Sequence, residues 1–219
     1  MEKDLKEFIK MLDFTNGKFH NTIVYEDVIR ITAYFIALEY EPEYKTKIEE
    51  LTRKYTSEER GKLIYLSYRL TNIYQKQEKP IDILGQIYHL INLNNKQTGQ
   101  FFTPPHIQNL CADIMLNEEE IKKEKIILNE PSCGSGGMPI AYAKALLEKG
   151  YNPKEKLIVH ANDLDQLCSY MAFLQLSMYD IPAVVTNGDG LSNSKANFIL
   201  YTPVYIENKR LERINRFWK

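Results

Sequence analysis

The stretch KIILNEPSCGSGG, residues 125–137, decides the fold of this chain. Its short apolar run, Ile126 to Leu128, is typical of a buried β-strand. A glycine-rich turn follows at once, and a helical pattern extends from Met138 to Lys149. Strand, glycine turn and helix in this order are typical of a parallel α/β sheet. In such a sheet, ligands bind where the strands end, and glycines let the backbone approach them closely.

The same alternation continues downstream. Residues 157–161 form a second apolar run, and a helical pattern covers about 166–179. Further short apolar runs lie at 183–186 and 198–201. Alternating strands and helices predict a parallel sheet with right-handed crossovers. We therefore predict an α/β domain with a parallel sheet of four strands.

The part of the chain before this region shows a different sequence pattern. Apolar residues repeat there at helical spacing, as in Leu5, Phe8 and Leu12, and Ser57 with the acids after it suits a helix start. No strand pattern is present. We predict a helical N-terminal domain at 1–79 and the α/β domain at 80–219.

Composition excludes several classes of protein. The 28 Lys and Arg and 29 Asp and Glu leave a net charge of −1, so any nucleic-acid contact depends on a local patch or a partner. The three cysteines match neither a zinc site nor a disulfide framework, which predicts no metal and a reducing, cytoplasmic setting. No apolar run is long enough for a membrane span, and the N-terminus is too polar for a signal peptide.

Acidic residues follow the next two predicted strands. Asp163 ends the second strand, where a carboxylate can accept the hydroxyls of a ribose, and Asp189 follows the third, where it can accept an adenine amine. The loop departs from the dinucleotide pattern G-x-G-x-x-G, because Glu130 and Pro131 precede its glycines and no third glycine follows at the required place. These residues leave a dinucleotide and an adenosyl compound as alternatives.

Three segments carry a family resemblance: DILGQIY at 82–88, TGQFFTP at 98–104 and EPSCGSGG at 130–137. Together with Asp163 and Asp189 they resemble the N6-adenine-specific DNA methyltransferases, closest to the modification subunits of type I restriction systems. The similarity covers about 80–205. The Phe-Thr-Pro segment combined with the glycine loop is highly specific.

The resemblance implies a Rossmann-like fold and S-adenosylmethionine (SAM) as cofactor. Because the family continues with further strands, the resemblance also implies that the parallel sheet is incomplete after the fourth strand. In this family the Phe-Thr-Pro segment walls the methionine end of SAM, and the acid and glycines of the loop hold its amino and carboxylate groups. The acids after the second and third strands take the ribose and the adenine. The implied cofactor-binding residues are Phe101, Phe102, Thr103, Pro104, Glu130, Pro131, Cys133, Gly134, Gly136, Asp163 and Asp189.

The fourth strand leads into Thr202-Pro203-Val204-Tyr205, which resembles the family's catalytic N-P-P-[YF] with two letters changed. In the family, the asparagine accepts the amino hydrogens of an extruded adenine, and the aromatic residue stacks on the base. The resemblance implies catalytic roles for Thr202, Pro203 and Tyr205. Losing one preorganised acceptor typically costs about a hundred- to a thousandfold in rate.

Two functions therefore compete. The first is a SAM-binding adenine DNA methyltransferase with weak or partner-dependent activity, which reaches DNA directly or through a partner subunit. The second is an inactive pseudo-methyltransferase with a regulatory, assembly or anti-restriction role. A homodimer or a specificity/modification-type partner is compatible with both. A different nucleotide-binding enzyme is a third reading, which the Phe-Thr-Pro segment opposes.

Overall fold

The computed structural model describes residues 1–92, 102–191 and 195–217. The chain divides into two compact units, one of residues 1–78 and 83–101, the other of 79–82 and 102–219. The segment 83–101 therefore clusters with the helical unit, although the predicted domain boundary lies before it, at residues 79 and 80. Within the described ranges, no helix combines the length and the apolar character that crossing a membrane requires.

The first unit is helical throughout its described residues. Its helices are α1 (Glu2–Met11), α2 (Asn21–Leu38), α3 (Tyr44–Thr52), α4 (Ser57–Gln75) and α5 (Ile83–Asn92), with a short 3₁₀ helix at Leu12–Thr15. A capping box between Thr56 and Glu59 begins α4. The buried Tyr25 donates its hydroxyl to the carbonyl of Leu84 at 2.8 Å, which ties α5 to α2.

The second unit holds the sheet. It contains α6 (Pro105–Met115), α7 (Glu118–Lys122), β1 (Ile126–Glu130), α8 (Gly137–Glu148), α9 (Pro153–Lys156), β2 (Leu157–Asp163), α10 (Gln166–Met178), β3 (Ala183–Asn187), β4 (Phe198–Tyr201) and α11 (Pro203–Phe217). Helices α8 and α10 pack on one face of the sheet. The predicted α/β class is confirmed.

The direction of the last strand corrects the prediction of a parallel sheet. The strand order is β1-β2-β3-β4, with β1, β2 and β3 parallel. Strand β4 instead pairs antiparallel with β3, with Val184 opposite Tyr201 and Asn187 opposite Phe198. The carboxyl end of β4 therefore lies at the edge of the sheet where β3 begins.

The face of the sheet that points away from α8 and α10 carries exposed apolar side chains. Register places Ile127, Ile158, Val184, Ile199 and Tyr201 on one face, because side chains alternate along a strand and paired residues share a side. Ile127 is 60% exposed and Ile199 is 42% exposed. Parallel sheets usually have both faces covered, so this face is unusually open.

Candidate functional site

The glycine loop leads from the end of β1 into α8, and its backbone has the conformation that glycine permits. Gly134 has φ of 53° and Gly136 has φ of 91°, both in the left-handed region. A Cβ on Gly136 would lie 3.1 Å from the Cα of Ala172 in α10. The loop is therefore packed closely against α10, and a side chain at Gly136 would force the two apart.

The described part of the Phe-Thr-Pro segment lies against this loop. The half-buried ring of Phe102 would be 3.0 Å from a Cβ added to Gly134. The carbonyl of Thr103 accepts a hydrogen bond from the buried side-chain amide of Gln108 at 2.7 Å, and Pro104 precedes α6 directly. Phe101 lies outside the described residues.

The acid at the end of β2 also contacts the loop. One carboxylate oxygen of Asp163 accepts the Gly134 N–H at 2.8 Å, and the other accepts the Asp165 N–H at 2.9 Å. Asp165 itself accepts the N–H groups of Leu167 and Cys168, so it caps α10. The carboxylate of Asp163 is therefore held at the glycine loop.

Glu130 brings a second carboxylate to the same place. The residue is half-buried and accepts the N–H of Ser132 at 3.4 Å. Burial raises the pKa of Glu130 above its ordinary value, and the negative charge of Asp163 raises it further. The carboxylates of Glu130 and Asp163 together make this edge of the sheet attractive to a cation.

Two residues of the loop itself have structural contacts. The Cys133 N–H donates to the carbonyl of Asn162 at 2.8 Å, and the Cys133 side chain is buried. Burial raises the pKa of the Cys133 thiol well above its ordinary value. The carbonyl of Pro131 accepts from the side chain of Asn162 at 3.2 Å. Both residues connect the loop to the end of β2.

The loop after β3 lies beside the other two. The Gly188 N–H donates to the carbonyl of Asp163 at 3.0 Å, and a Cβ on Gly190 would lie 3.0 Å from the side-chain nitrogen of Asn162. Asp189 is exposed in this loop and accepts the N–H of Leu191 at 3.0 Å. The structure therefore brings the predicted acids of β1, β2 and β3 to one edge of the sheet.

Sequence reasoning missed two asparagines that hold these loops together. The Asn162 amide donates to Pro131 and to Gly188, and its carbonyl oxygen accepts from the Thr186 hydroxyl at 2.8 Å. The fully buried Asn187 donates to the carbonyls of Asp163 and Leu164. Their positions at strand ends were the available signal, because an amide there can donate and accept across neighbouring loops.

The Thr-Pro-Val-Tyr stretch, residues 202–205, does not lie at the edge of the sheet that carries these acids. The Thr202 side chain is fully buried, and its hydroxyl donates to the carbonyl of Ile181 at 3.0 Å and accepts the N–H of Ala183 at 2.8 Å. Pro203 begins α11, and the ring of Tyr205 stacks on Tyr201 with centroids 5.7 Å apart.

These contacts place Thr202, Pro203 and Tyr205 beside the amino end of β3. The strand runs from Ala183 to Asn187 and spans about 13 Å before it reaches the acidic edge. The structure does not bring the three residues to the glycine loop, because β4 runs antiparallel to β3 and ends at the opposite edge of the sheet.

Comparisons with known proteins place the chain in a family. The sequence profile of the N-6 DNA methylases matches residues 79–213. One similar solved structure, from Listeria monocytogenes, is described as a class I S-adenosylmethionine-dependent methyltransferase. It has 16% sequence identity and a TM-score of 0.50, and the match covers 89% of this chain and 56% of that one. This chain thus spans little more than half the length of that relative. No curated protein matches it.

Proposed function

We propose that this chain, which belongs to the N-6 DNA methylase family, binds S-adenosylmethionine at the acidic edge of its sheet. The observation that carries the proposal is the pair of carboxylates, Glu130 and Asp163, beside a glycine loop packed against Phe102. SAM carries a sulfonium and an ammonium group, and both are attracted by this negative potential. The chemistry of the donor set fits that ligand.

The same acids argue against a ligand with phosphates. A pyrophosphate at the glycine loop would lie against Glu130 and Asp163, and like charges at close range disfavour each other. Sites that hold phosphates use backbone N–H groups and cations instead. Here the N–H of Gly134 already donates to Asp163. The dinucleotide alternative is therefore the weaker one.

Four of the predicted residues have contacts or positions that suit a role toward SAM. Each carboxylate oxygen of Asp163 accepts one backbone N–H, and each keeps a second lone pair that can accept a ribose hydroxyl. The acid of Glu130 would take the ammonium group, Phe102 would wall the methionine end, and Asp189 would accept the adenine amine. When bound, SAM supplies an electrophilic methyl group.

The family points to adenine in DNA as the methyl acceptor. We include DNA in the proposal as a substrate that the chain reaches directly or through a partner subunit. The open apolar sheet face with Ile127 and Ile199 supports a partner, either a second copy or a specificity/modification-type subunit.

One observation favours a second candidate, a pseudo-methyltransferase that retains the cofactor site. Thr202 is fully buried, and all three described contacts of its hydroxyl are with backbone atoms of Ile181 and Ala183, around the start of β3. A residue held in this way is not placed to accept the amino hydrogens of a base at the acidic edge. The position of Thr202 therefore favours a chain that binds the cofactor without transferring its methyl group.

Calorimetric titration with SAM tests the shared part of both candidates. We expect micromolar binding by the natural chain and loss of that binding in Asp163→Ala. Asp113→Ala removes an exposed carboxylate on α6 and is the matched control, with unchanged affinity expected. A folded natural chain without SAM binding would refute the proposal.

Transfer of a labelled methyl group to DNA then separates the candidates. Robust transfer by the natural chain would exclude the pseudo-methyltransferase. A Thr202→Asn variant that gains activity, with or without an added partner chain, would show that Thr202 reaches the reacting base, contrary to the arrangement around β4.

A further inference from the structure

Three buried side chains from distant parts of the sequence are connected by hydrogen bonds beneath the glycine loop. The Ser135 hydroxyl donates to one carboxylate oxygen of Asp82 at 2.7 Å, and the Gln175 amide donates to the other at 2.8 Å. The same amide nitrogen also donates to the backbone carbonyl of Ser135 at 2.6 Å. The exposures of Asp82, Ser135 and Gln175 are 6%, 2% and 0%.

Ser135 occupies the decisive position in this loop. It lies between Gly134 and Gly136, both of which adopt left-handed backbone conformations. Glycines lose more conformational entropy on ordering than other residues, so a loop with two of them needs external contacts to keep one shape. The side chain and the carbonyl of Ser135 are both held by this set, and the Gly134 N–H beside it contacts Asp163.

Asp82 is itself firmly placed. In the preceding residue, Ile81, the backbone N–H donates to the Tyr179 hydroxyl at 3.2 Å, and the carbonyl accepts from that hydroxyl at 2.9 Å. Tyr179 follows Gln175 by one helical turn, so both hold the same short segment to the end of α10. At the start of the segment, the exposed Lys79 pairs with Glu148 on α8 at 2.7 Å.

We propose that Asp82 is a positioning residue for the cofactor loop. Its carboxylate holds Ser135, and Ser135 keeps the N–H groups of the loop and the Phe102-facing surface of Gly134 in the arrangement that a ligand meets. Preorganisation of this kind raises affinity because the ligand does not have to order the loop. The inference rests on the proposed function only where it concerns SAM.

Three variants test this role. Ser135→Ala removes the link between the loop and Asp82. Asp82→Asn is the conservative variant, because its amide can donate to the Ser135 oxygen while its carbonyl oxygen accepts from Gln175. Ser177→Ala is the matched control, since this buried hydroxyl on α10 has no hydrogen-bond partner within the described residues.

Two readouts are measured on the full chain. The first is hydrogen exchange of the loop amides at 133–136, of which Cys133, Gly134 and Gly136 donate to protein acceptors. We expect roughly tenfold faster exchange in Ser135→Ala, while the amides of β2 stay protected. The second is SAM affinity, with roughly a tenfold loss expected in Ser135→Ala and less than about threefold in Asp82→Asn. Ser177→Ala should change neither.

Each outcome has a distinct meaning. Unchanged loop exchange and unchanged affinity in Ser135→Ala would overturn the role of Asp82. Faster exchange spread equally over the loop and β2 would also overturn it, because that pattern means general destabilisation. If the natural chain binds no SAM but Ser135→Ala still loosens the loop selectively, the positioning role stands and the cofactor proposal falls.

Discussion

Replacement of Thr202 by valine measures what this residue does. Valine has nearly the same shape as threonine but lacks the hydroxyl, so the change leaves the Ala183 N–H and the Ile181 carbonyl without that partner in a fully buried position. An unsatisfied buried polar group costs about 1–3 kcal/mol. Two groups lose a partner here, and small shifts of the surrounding backbone recover part of the cost. We therefore expect Thr202→Val to lower the free energy of unfolding by about 2–4 kcal/mol.

Urea unfolding followed by circular dichroism measures this loss, and calorimetry on the folded variant measures SAM affinity. Thr202→Ser keeps the hydroxyl and should lose only about 1 kcal/mol, the cost of one buried methyl group. Ser177→Ala deletes a buried hydroxyl that has no partner within the described residues, so its stability should equal or exceed that of the natural chain. SAM affinity should be unchanged in all three variants.

Two results would refute this reasoning. The first is a Thr202→Val protein as stable as the natural chain, which would mean that the hydroxyl does not hold the start of β3. The second is loss of SAM binding by Thr202→Val without loss of stability, which would place Thr202 at the cofactor after all.

The remaining predictions concern three other sites. The raised pKa of Glu130 means that the folded chain binds this proton more tightly than the unfolded chain. Stability is therefore lost as pH rises from the ordinary value of 4.5 through the raised pKa, and urea titrations of Glu130→Gln should lack that loss and show higher stability at pH 7. The same variant should bind SAM about ten- to a hundredfold more weakly by calorimetry, because a charge-assisted contact contributes about 1.5–3 kcal/mol. Gly136→Ala should be destabilised by at least about 1 kcal/mol in urea unfolding and should lose SAM binding, since its φ is 91° and its Cβ would press on Ala172. Asp27→Asn should lower the free energy of unfolding by about 1–3 kcal/mol in the same assay, because the buried Asp27 pairs with the half-exposed Lys54 at 2.6 Å. Both residues lie in the helical unit, so SAM affinity should not change.

Local patterns predicted the elements of the sheet well. The apolar runs at 157–161 and 198–201 correspond to β2 and β4, and the helical pattern at 166–179 corresponds to α10. The strand–turn–helix order around the glycine loop is confirmed as well. These features depend on neighbouring residues, and neighbours are what a sequence pattern records.

The candidate site was only partly visible in the sequence. The acids Glu130 and Asp163 are the last residues of β1 and β2, whose carboxyl ends meet at one edge, so their proximity was predictable. The set formed by Asp82, Ser135 and Gln175 was not, because its members are separated by 53 and 93 positions from Asp82 and no local spacing marks them. The roles of the individual residues toward SAM stay predictions.

The sequence by itself determined the order of strands and helices and the glycine loop, because periodicity and the demand for positive φ are local properties. Only the tertiary structure decided where Thr202 lies. A strand as short as Phe198–Tyr201 shows the same alternation of side chains whichever way it runs. Its direction is therefore set by how its backbone groups pair with the neighbouring strand, which the sequence pattern does not record. Here β4 pairs with β3 in the antiparallel sense, and this pairing places the Thr-Pro-Val-Tyr stretch at the edge opposite to the acids.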